Sequence, residues 1–489
     1  MQLAKRRRNF VGRSLTGCRT CRARHIKCDE APGVCNNCVS TKRTCDGYDI
    51  SRLRGRKIAA SCRVNVAVRL DWLTTTDERR CLSYFIHCSL SNLGAFFDSS
   101  FWQKRVPQLS FADRAVYHTA VMLGALHEES IQNKMRLSGE NLTNAHQKFA
   151  LEQRSRAFFY LSRRNASEDP QFRETLLLCC LLFALADLIW ARYENALQHL
   201  RGGLQILKEI PEVQAVDPAL LETFKRLDIQ SSHFGLGKPF LFSNDEREEC
   251  WPNHPPLLTL ESLHDVKQSV DSLTSIGIPF LANCWPLSNV EIAANYGDLW
   301  HKQTWLLSNY KSLRRSIDNF RSEYDTQANY KELQALDLLQ LQCLGQILSL
   351  ETCLMDEPAP ASMIPDYVTL LSACQHFMAQ LSNPPTISLT YGVIAILYVV
   401  ASRCPQFLVQ LEAIHTLLSW PHCEGFINSN MTASLALASV KRKLEQNDQP
   451  NRSLCDKQTE QELSHFLVET LRLSAHSESW SVIRAATFV

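Results

Sequence analysis

Apolar residues along most of this chain recur every three to four positions, and the recurrence starts near residue 76. Cys81, Tyr84, Phe85 and Cys88 fall on one helical face, as do Val116, Ala120, Val121, Leu123 and Leu126. Ala196, Leu197, Leu200, Leu204 and Leu207 form a single stripe along 193–210, which Pro211 closes. Further helical stretches are expected near 292–318, 328–354, 364–382, 386–403, 406–419 and 430–446, punctuated by prolines such as Pro255–Pro256, Pro358–Pro360 and Pro384–Pro385. Residues 176–190 are almost wholly apolar and must be buried. The run Leu176–Ala186 is too short for a membrane span, which needs roughly 20 residues. Strand-like alternation is scarce and no period of 20–50 residues repeats. The pattern predicts a mainly α fold, with an all-helical domain over 76–474 and a C-terminal tail over 475–489.

The helical pattern is absent from the first 75 residues, and charge and cysteine content show why. The chain has 489 residues with a net charge of +2, but residues 1–57 alone hold 15 Lys and Arg against 4 Asp and Glu. The remainder is acidic on balance. Such a split predicts a basic segment with its own polyanionic partner. Residues 1–17 read as a basic disordered arm, 18–48 as a cysteine module and 49–75 as a basic linker. Six of the 19 cysteines lie between positions 18 and 45. The positive stretch at the N-terminus has no apolar run behind it, so no secretory signal is expected. In a reducing compartment, clustered cysteines point to metal rather than disulfides.

The six cysteines follow a repeat: Cys18-x2-Cys21-x6-Cys28, then Cys35-x2-Cys38-x6-Cys45. Two halves of identical spacing imply two similar half-sites. Zinc takes four ligands, so six thiolates hold either one zinc with two sulfurs left over or two zincs with two sulfurs shared. The symmetry of the halves favours the second arrangement, with Cys18 and Cys35 bridging, Cys21 and Cys28 completing one ion, and Cys38 and Cys45 the other. A disulfide scaffold and a zinc module for protein contact are the rival readings. About 30 residues cannot bury enough surface to fold unaided, whereas structural zinc supplies roughly 10–16 kcal/mol. Arg19, Arg22, Arg24, His25 and Lys27 crowd the first half, and Lys42 and Arg43 lie in the second. Such a cationic surface favours phosphate contact through counterion release. The segment Thr20–His25 is expected to form a helical turn that points Arg24 and His25 at base edges.

The stretch Cys21-Arg22-Ala23-Arg24-His25-Ile26-Lys27-Cys28-Asp29, within the six-cysteine spacing, resembles the fungal Zn(2)-Cys(6) binuclear cluster family. His25 stands where that family usually has a lysine. Histidine still donates to guanine, with less charge and shorter reach. Pro32 falls in the loop between the halves, where the family has a proline. The resemblance implies two zinc ions per chain, Arg24 and His25 as base readers, and Arg22 and Lys27 as phosphate contacts. Farther along, Phe96–Trp102, His118–Glu128, Tyr193–Leu207 and Ile414–Gly425 resemble the fungal-specific transcription factor domain. Together they imply a nuclear, sequence-specific DNA-binding transcription factor for RNA polymerase II genes, with a short G/C-containing major-groove site and an all-helical regulatory domain. By family habit it would control a metabolic or secondary-metabolite gene cluster, with transcriptional co-regulators as further partners and no enzymatic activity. The alternative is a zinc-containing co-regulator that acts through protein contacts without reading DNA.

The runs Lys5, Arg6, Arg7, Arg8 and Arg52, Arg54, Arg56, Lys57 read as a two-part nuclear import signal. His118 and His127 stand nine apart, a poor ligand spacing, and read as ordinary core or surface histidines. Cys179 and Cys180 read as small buried hydrophobes. Trp190, Tyr193, Trp300 and Trp305 read as core aromatics rather than the walls of an effector pocket. Gly202–Gly203 reads as a close packing point. No sustained heptad pattern follows the cysteines, so monomer binding and dimerisation through the helical domain both stay open.

Overall fold

The computed structural model describes residues 17–29, 31, 34–47, 72–136, 144–164, 170–209, 216–232, 239–240, 260–324, 328–355 and 359–446. Nearly all of the expected arm and linker, the tail, Pro32 and both basic runs assigned to import lie outside these residues.

Two short helices, α1 (Arg19–Ala23) and α2 (Asn36–Val39), carry the cysteine module. The body opens with α3 (Thr76–Tyr84). A capping box starts it: the Thr75 hydroxyl accepts from the Glu78 amide at 3.2 Å, and the Glu78 carboxylate accepts from the Thr75 amide at 2.9 Å. A π turn at Phe85–Ser89 continues into α4 (Leu90–Leu93), and another at Phe101–Arg105 into α5 (Val106–Ala112). Then come α6 (Arg114–Gln132), α7 (Ala145–Ser162), α8 (Pro170–Ile189), α9 (Tyr193–Lys208) and α10 (Pro218–Ser231). The second half holds α11 (Leu263–Cys284), α12 (Asn289–Ala294), α13 (Tyr296–Tyr324), α14 (Tyr330–Thr352) and α15 (Ile364–Gln380). After the strand β1 (Ile387–Ser388) come α16 (Val393–Arg403), α17 (Phe407–Ser419), the hairpin of β2 (Cys423–Glu424) and β3 (Ile427–Asn428), and α18 (Ser429–Gln446).

The mainly helical fold expected from the pattern is present. The centre of the first half is α6, in which every residue from Ala115 to His127 is buried. It is wrapped by α3, α5, α7 and α8. A helix buried on all sides needs apolar residues all round, and the small residues Ala115, Ala120, Gly124 and Ala125 let its neighbours approach. A Cβ added at Gly124 would lie 2.2 Å from the Cys81 carbonyl oxygen, so α3 crosses α6 with backbone almost in contact. In α9 the close approach is at Gly203 alone, where a Cβ would meet the Phe224 ring at 2.3 Å. Gly202 faces open space.

In the second half α14 carries two apolar faces. Leu338, Leu341 and Leu348 join the core made with α15, α16, α17 and α18, while Leu336, Leu339, Cys343, Ile347 and Leu350 join the core made with α11 and α13. Each fully buried leucine contributes about 1.5–3 kcal/mol relative to exposure, so this helix ties two cores together.

Three details depart from the pattern. The stretch 292–318 is broken at Asn295 (φ −114°, ψ 16°) into α12 and α13. The stretch 386–403 starts with a strand. The three two-residue strands form one sheet in the order β1-β2-β3, β1 parallel to β2 and β2 antiparallel to β3. Gly425 turns the hairpin with φ 54°, a conformation that favours glycine. Two-residue strands are too short to show alternation. Among the described residues no helix is long and apolar enough to cross a membrane.

Candidate metal centre and nucleic-acid interface

The module repeats its geometry as its sequence repeats. Cys18 and Cys35 are the N-caps of α1 and α2. The Ile26 amide donates to the Cys21 carbonyl at 3.1 Å, and the Arg43 amide to the Cys38 carbonyl at 3.0 Å. Each half then turns through a left-handed residue, His25 at φ 57° and Lys42 at φ 53°. These turns bring Cys28 and Cys45 back beside the other sulfurs.

All six cysteines are buried, and they form a core of their own with no aliphatic or aromatic member. Their sulfurs fall into two groups of four, Cys18, Cys21, Cys28 and Cys35, and Cys18, Cys35, Cys38 and Cys45, each within 4.8 Å of one another. The two groups share Cys18 and Cys35. Sulfurs within one group lie 3.6 Å apart for Cys18–Cys35, 3.6 Å for Cys21–Cys35 and 3.8 Å for Cys18–Cys38. Tetrahedral zinc with bonds near 2.3 Å sets ligand sulfurs about 3.8 Å apart, so the donor set fits that ion. Burial pushes the Cys18, Cys21 and Cys35 thiols up. Metal must therefore displace protons to bind, and its hold weakens in acid.

Polar contacts outside the sulfurs join the two halves. The Thr20 hydroxyl donates to Asp46 Oδ2 at 2.8 Å or to the Thr44 carbonyl at 3.1 Å, and it accepts from the Asp46 amide at 2.9 Å. Asp29 accepts from the Asn36 and Asn37 amides at 2.9 and 3.2 Å, which caps α2. Those amides hold its carboxyl below the usual range. Asn37 Nδ2 donates to the Lys27 carbonyl at 2.8 Å. Thr20, Asp29 and Asn37 have positioning roles that sequence reading missed, because no local spacing marks a contact between the halves.

The residues expected to contact DNA lie in α1 and the turn that follows it, at the surface or partly so. His25 and Lys27 are exposed, and Arg22 and Arg24 are half-buried. Arg24 Nη1 donates to the Thr41 hydroxyl at 3.0 Å, so its guanidinium is braced against the second half. Arg19, Lys42 and Arg43 are exposed around them. The module touches the body where the Thr76 hydroxyl donates to the Cys45 carbonyl at 2.7 Å.

The other candidates resolve as parts of the fold. His118 Nδ1 pairs with Gln153 Oε1 at 2.7 Å, and His127 bridges Ser89 at 2.9 Å and Thr386 at 2.7 Å. They share no ligand site. Cys179 is fully buried, whereas Cys180 is half-buried at the edge of the same core, against the expectation that both are buried; desolvation raises both thiols, Cys180 to about 12. Trp190 and Tyr193 are core residues and Trp305 is half-buried, but Trp300 is 51% exposed, against the expectation that all four are core. In the stretch Ile414–Gly425, Trp420 stacks on His422, and Glu424 accepts from His422 Nε2 at 2.9 Å and from the amides that open α16.

Two family models match the chain. Residues 16–55 match the fungal Zn(2)-Cys(6) binuclear cluster domain, and residues 80–285 match the fungal specific transcription factor domain. The aspercryptin biosynthesis cluster-specific transcription regulator of Emericella nidulans is 23% identical over 365 residues, 68% of this chain and 58% of that protein. A transcription regulator of Purpureocillium lilacinum is 25% identical over 216 residues, 40% of this chain and 50% of that protein. The white-opaque regulator 2 of Candida albicans is 50% identical over 56 residues, 11% of this chain and 13% of that protein. The chain thus spans between half and three-fifths of the length of the first two relatives. No solved structure matches.

Proposed function

We propose, from the premise that this chain belongs to the fungal Zn(2)-Cys(6) family of transcription regulators, that it is a nuclear transcription factor whose N-terminal module reads a short G/C-containing site in the major groove. The observation that carries this reading is the pair of four-sulfur groups sharing Cys18 and Cys35, set beneath a cationic surface. Cys18 and Cys35 would be shared by two zinc ions, with Cys21 and Cys28 completing the ligand set of one and Cys38 and Cys45 that of the other. Zinc here supplies rigidity and no reaction.

With the sulfurs fixed, the chain's own residues do the reading. His25 and Arg24 stand at the end of α1 and reach base edges. Arg22 and Lys27 neutralise phosphates, which sets affinity and register but not sequence. The proposed boundaries are 18–48 for the module and 76–474 for the helical domain, and the described helices of that domain run from Thr76 to Gln446. The helical domain receives regulatory input and contacts co-regulators, and the genes served are transcribed by RNA polymerase II. The name of the Emericella nidulans relative supports control of a biosynthetic gene cluster. The runs Lys5–Arg8 and Arg52–Lys57 direct nuclear import.

Selection from random duplexes with the full-length protein, followed by gel shift, tests the reading. It predicts enrichment of one short G/C-containing motif and loss of that binding in Cys28→Ala. Enrichment of no motif, with binding to partner proteins intact, would establish the co-regulator alternative instead.

A further inference from the structure

In the second half of the body, α12 and the start of α13 stand clear of the core. No residue of α12 is buried, and the buried residues of α13 begin at Leu306. This projection turns apolar side chains outward: Val290 is 78% exposed, Tyr296 52% and Trp300 51%. Tyr296 and Trp300 are four apart and share a helix face, and a Cβ at Gly297 between them would meet nothing within 4 Å. Large apolar groups left uncovered together mark an interaction surface.

The end of the described chain arrives at the same end of the body. At the close of α18, Lys443 Nζ donates to the Ser402 carbonyl at 2.6 Å. The next residue, Arg403, donates through Nη1 to the Thr352 carbonyl at 2.8 Å. Beside Thr352, the Leu350 carbonyl accepts from Gln303 Nε2 at 2.6 Å, less than one helical turn beyond Trp300. Three consecutive contacts therefore connect the exit of α18 to the exposed face.

The sequence beyond Gln446 contains a segment of matching character. Leu463, Phe466, Leu467 and Leu471 are spaced as one face of an amphipathic helix, and His465, Glu469 and Arg472 fall on the opposite face. Residues 447–462, at about 3.3–3.6 Å each, reach up to roughly 50–60 Å. That is ample for two places on one end of the same body. A tether of that length also holds the segment at an effective concentration on the order of millimolar.

We propose that Glu462–Leu473 docks in cis on the face of α13 that carries Tyr296 and Trp300, as an amphipathic helix laid on an apolar surface. The inference does not depend on what the zinc module reads, and its failure would leave that reading untouched.

Hydrogen exchange read by mass spectrometry tests it in three proteins: the full-length chain, the chain ended at Gln446, and full-length Leu467→Asp, which leaves every described residue in place. Docking predicts that amides of 289–301 exchange about tenfold slower in the full-length chain than in the other two. It also predicts that this protection is independent of protein concentration, and that adding the peptide 459–476 to the shortened chain restores it. Equal exchange in all three proteins would overturn the proposal. Protection that survives the truncation and grows with concentration would assign the face to a second copy and overturn it as well.

Discussion

His25 ends α1 in left-handed backbone, and Lys42 ends the corresponding turn of the second half in the same way. The left-handed conformation costs an L-residue roughly 1–2 kcal/mol, and in each half it returns the last cysteine to the sulfur core. His25 thus has a backbone duty besides any contact with a base, and His25→Ala would mix the two. Asparagine tolerates this conformation, so His25→Asn is the cleaner probe. Gel-shift competition across single-base variants should show that His25→Asn relaxes preference at one base pair by about 1–3 kcal/mol. Lys27→Ala should weaken binding to every duplex alike and reduce the salt slope by about 1. A uniform loss in the His25 variant would remove it from base reading.

The sulfur cluster was legible because its chemistry is local: six cysteines at repeated spacing predict it without any knowledge of the fold. Thr20, Asp29 and Asn37 were not legible, since each acts across the two halves. Trp300 was misread for a related reason. Its helical spacing equals that of a core residue, and only the projection of α12 and α13 beyond the body leaves it exposed.

Among the elements, α6 and α3 depend on one missing side chain. Gly124→Ala places a methyl group 2.2 Å from the Cys81 carbonyl oxygen, which is backbone and cannot swing aside. The two helices must separate, at a cost of about 1–3 kcal/mol. Thermal denaturation should show a lowered midpoint for Gly124→Ala, while Gly202→Ala, which meets nothing, should not fall. The periodic pattern located both helices but not their separation. It also missed the three short strands, because two residues carry no period.

The helices also enclose histidines that burial keeps neutral. Burial lowers His118, takes His127 down to about 3 and His199 to about 4. His199 Nε2 lies 3.0 Å from Arg154, which can only donate, so that nitrogen accepts and the ring is neutral despite Asp187 nearby. In the unfolded chain these rings protonate near 6.5. Between that pH and the folded values the unfolded state binds more protons, so stability is full above about 6.5 and falls as pH drops toward 4. Denaturation midpoints between pH 7 and 4 should decline, and less steeply in His127→Gln. An equal slope in that variant would exclude His127 as a source.

At the scale of the whole molecule, a cationic cysteine module without an apolar core is joined to an acidic helical body whose described residues form three large cores and one small one. The body folds on burial, the module on ligation. The sequence pattern separated the two because helical periodicity begins where the cysteine spacing ends. It could not reveal how distant segments meet, as where Asn92 Oδ1 accepts from the Thr386 amide at 2.6 Å across nearly 300 residues. Nor could it show that Cys45 and Thr76 join module to body, because that contact depends on the folded path of both.

The sharing of Cys18 and Cys35 between two four-sulfur groups is the feature on which this account of the module rests. Native mass spectrometry of the full-length protein tests it most directly, by counting metal ions on the folded chain. The account predicts two zinc ions per chain, both lost with the module's DNA binding on chelation. A single zinc per chain, or six cysteines oxidised in pairs with no metal bound, would contradict it.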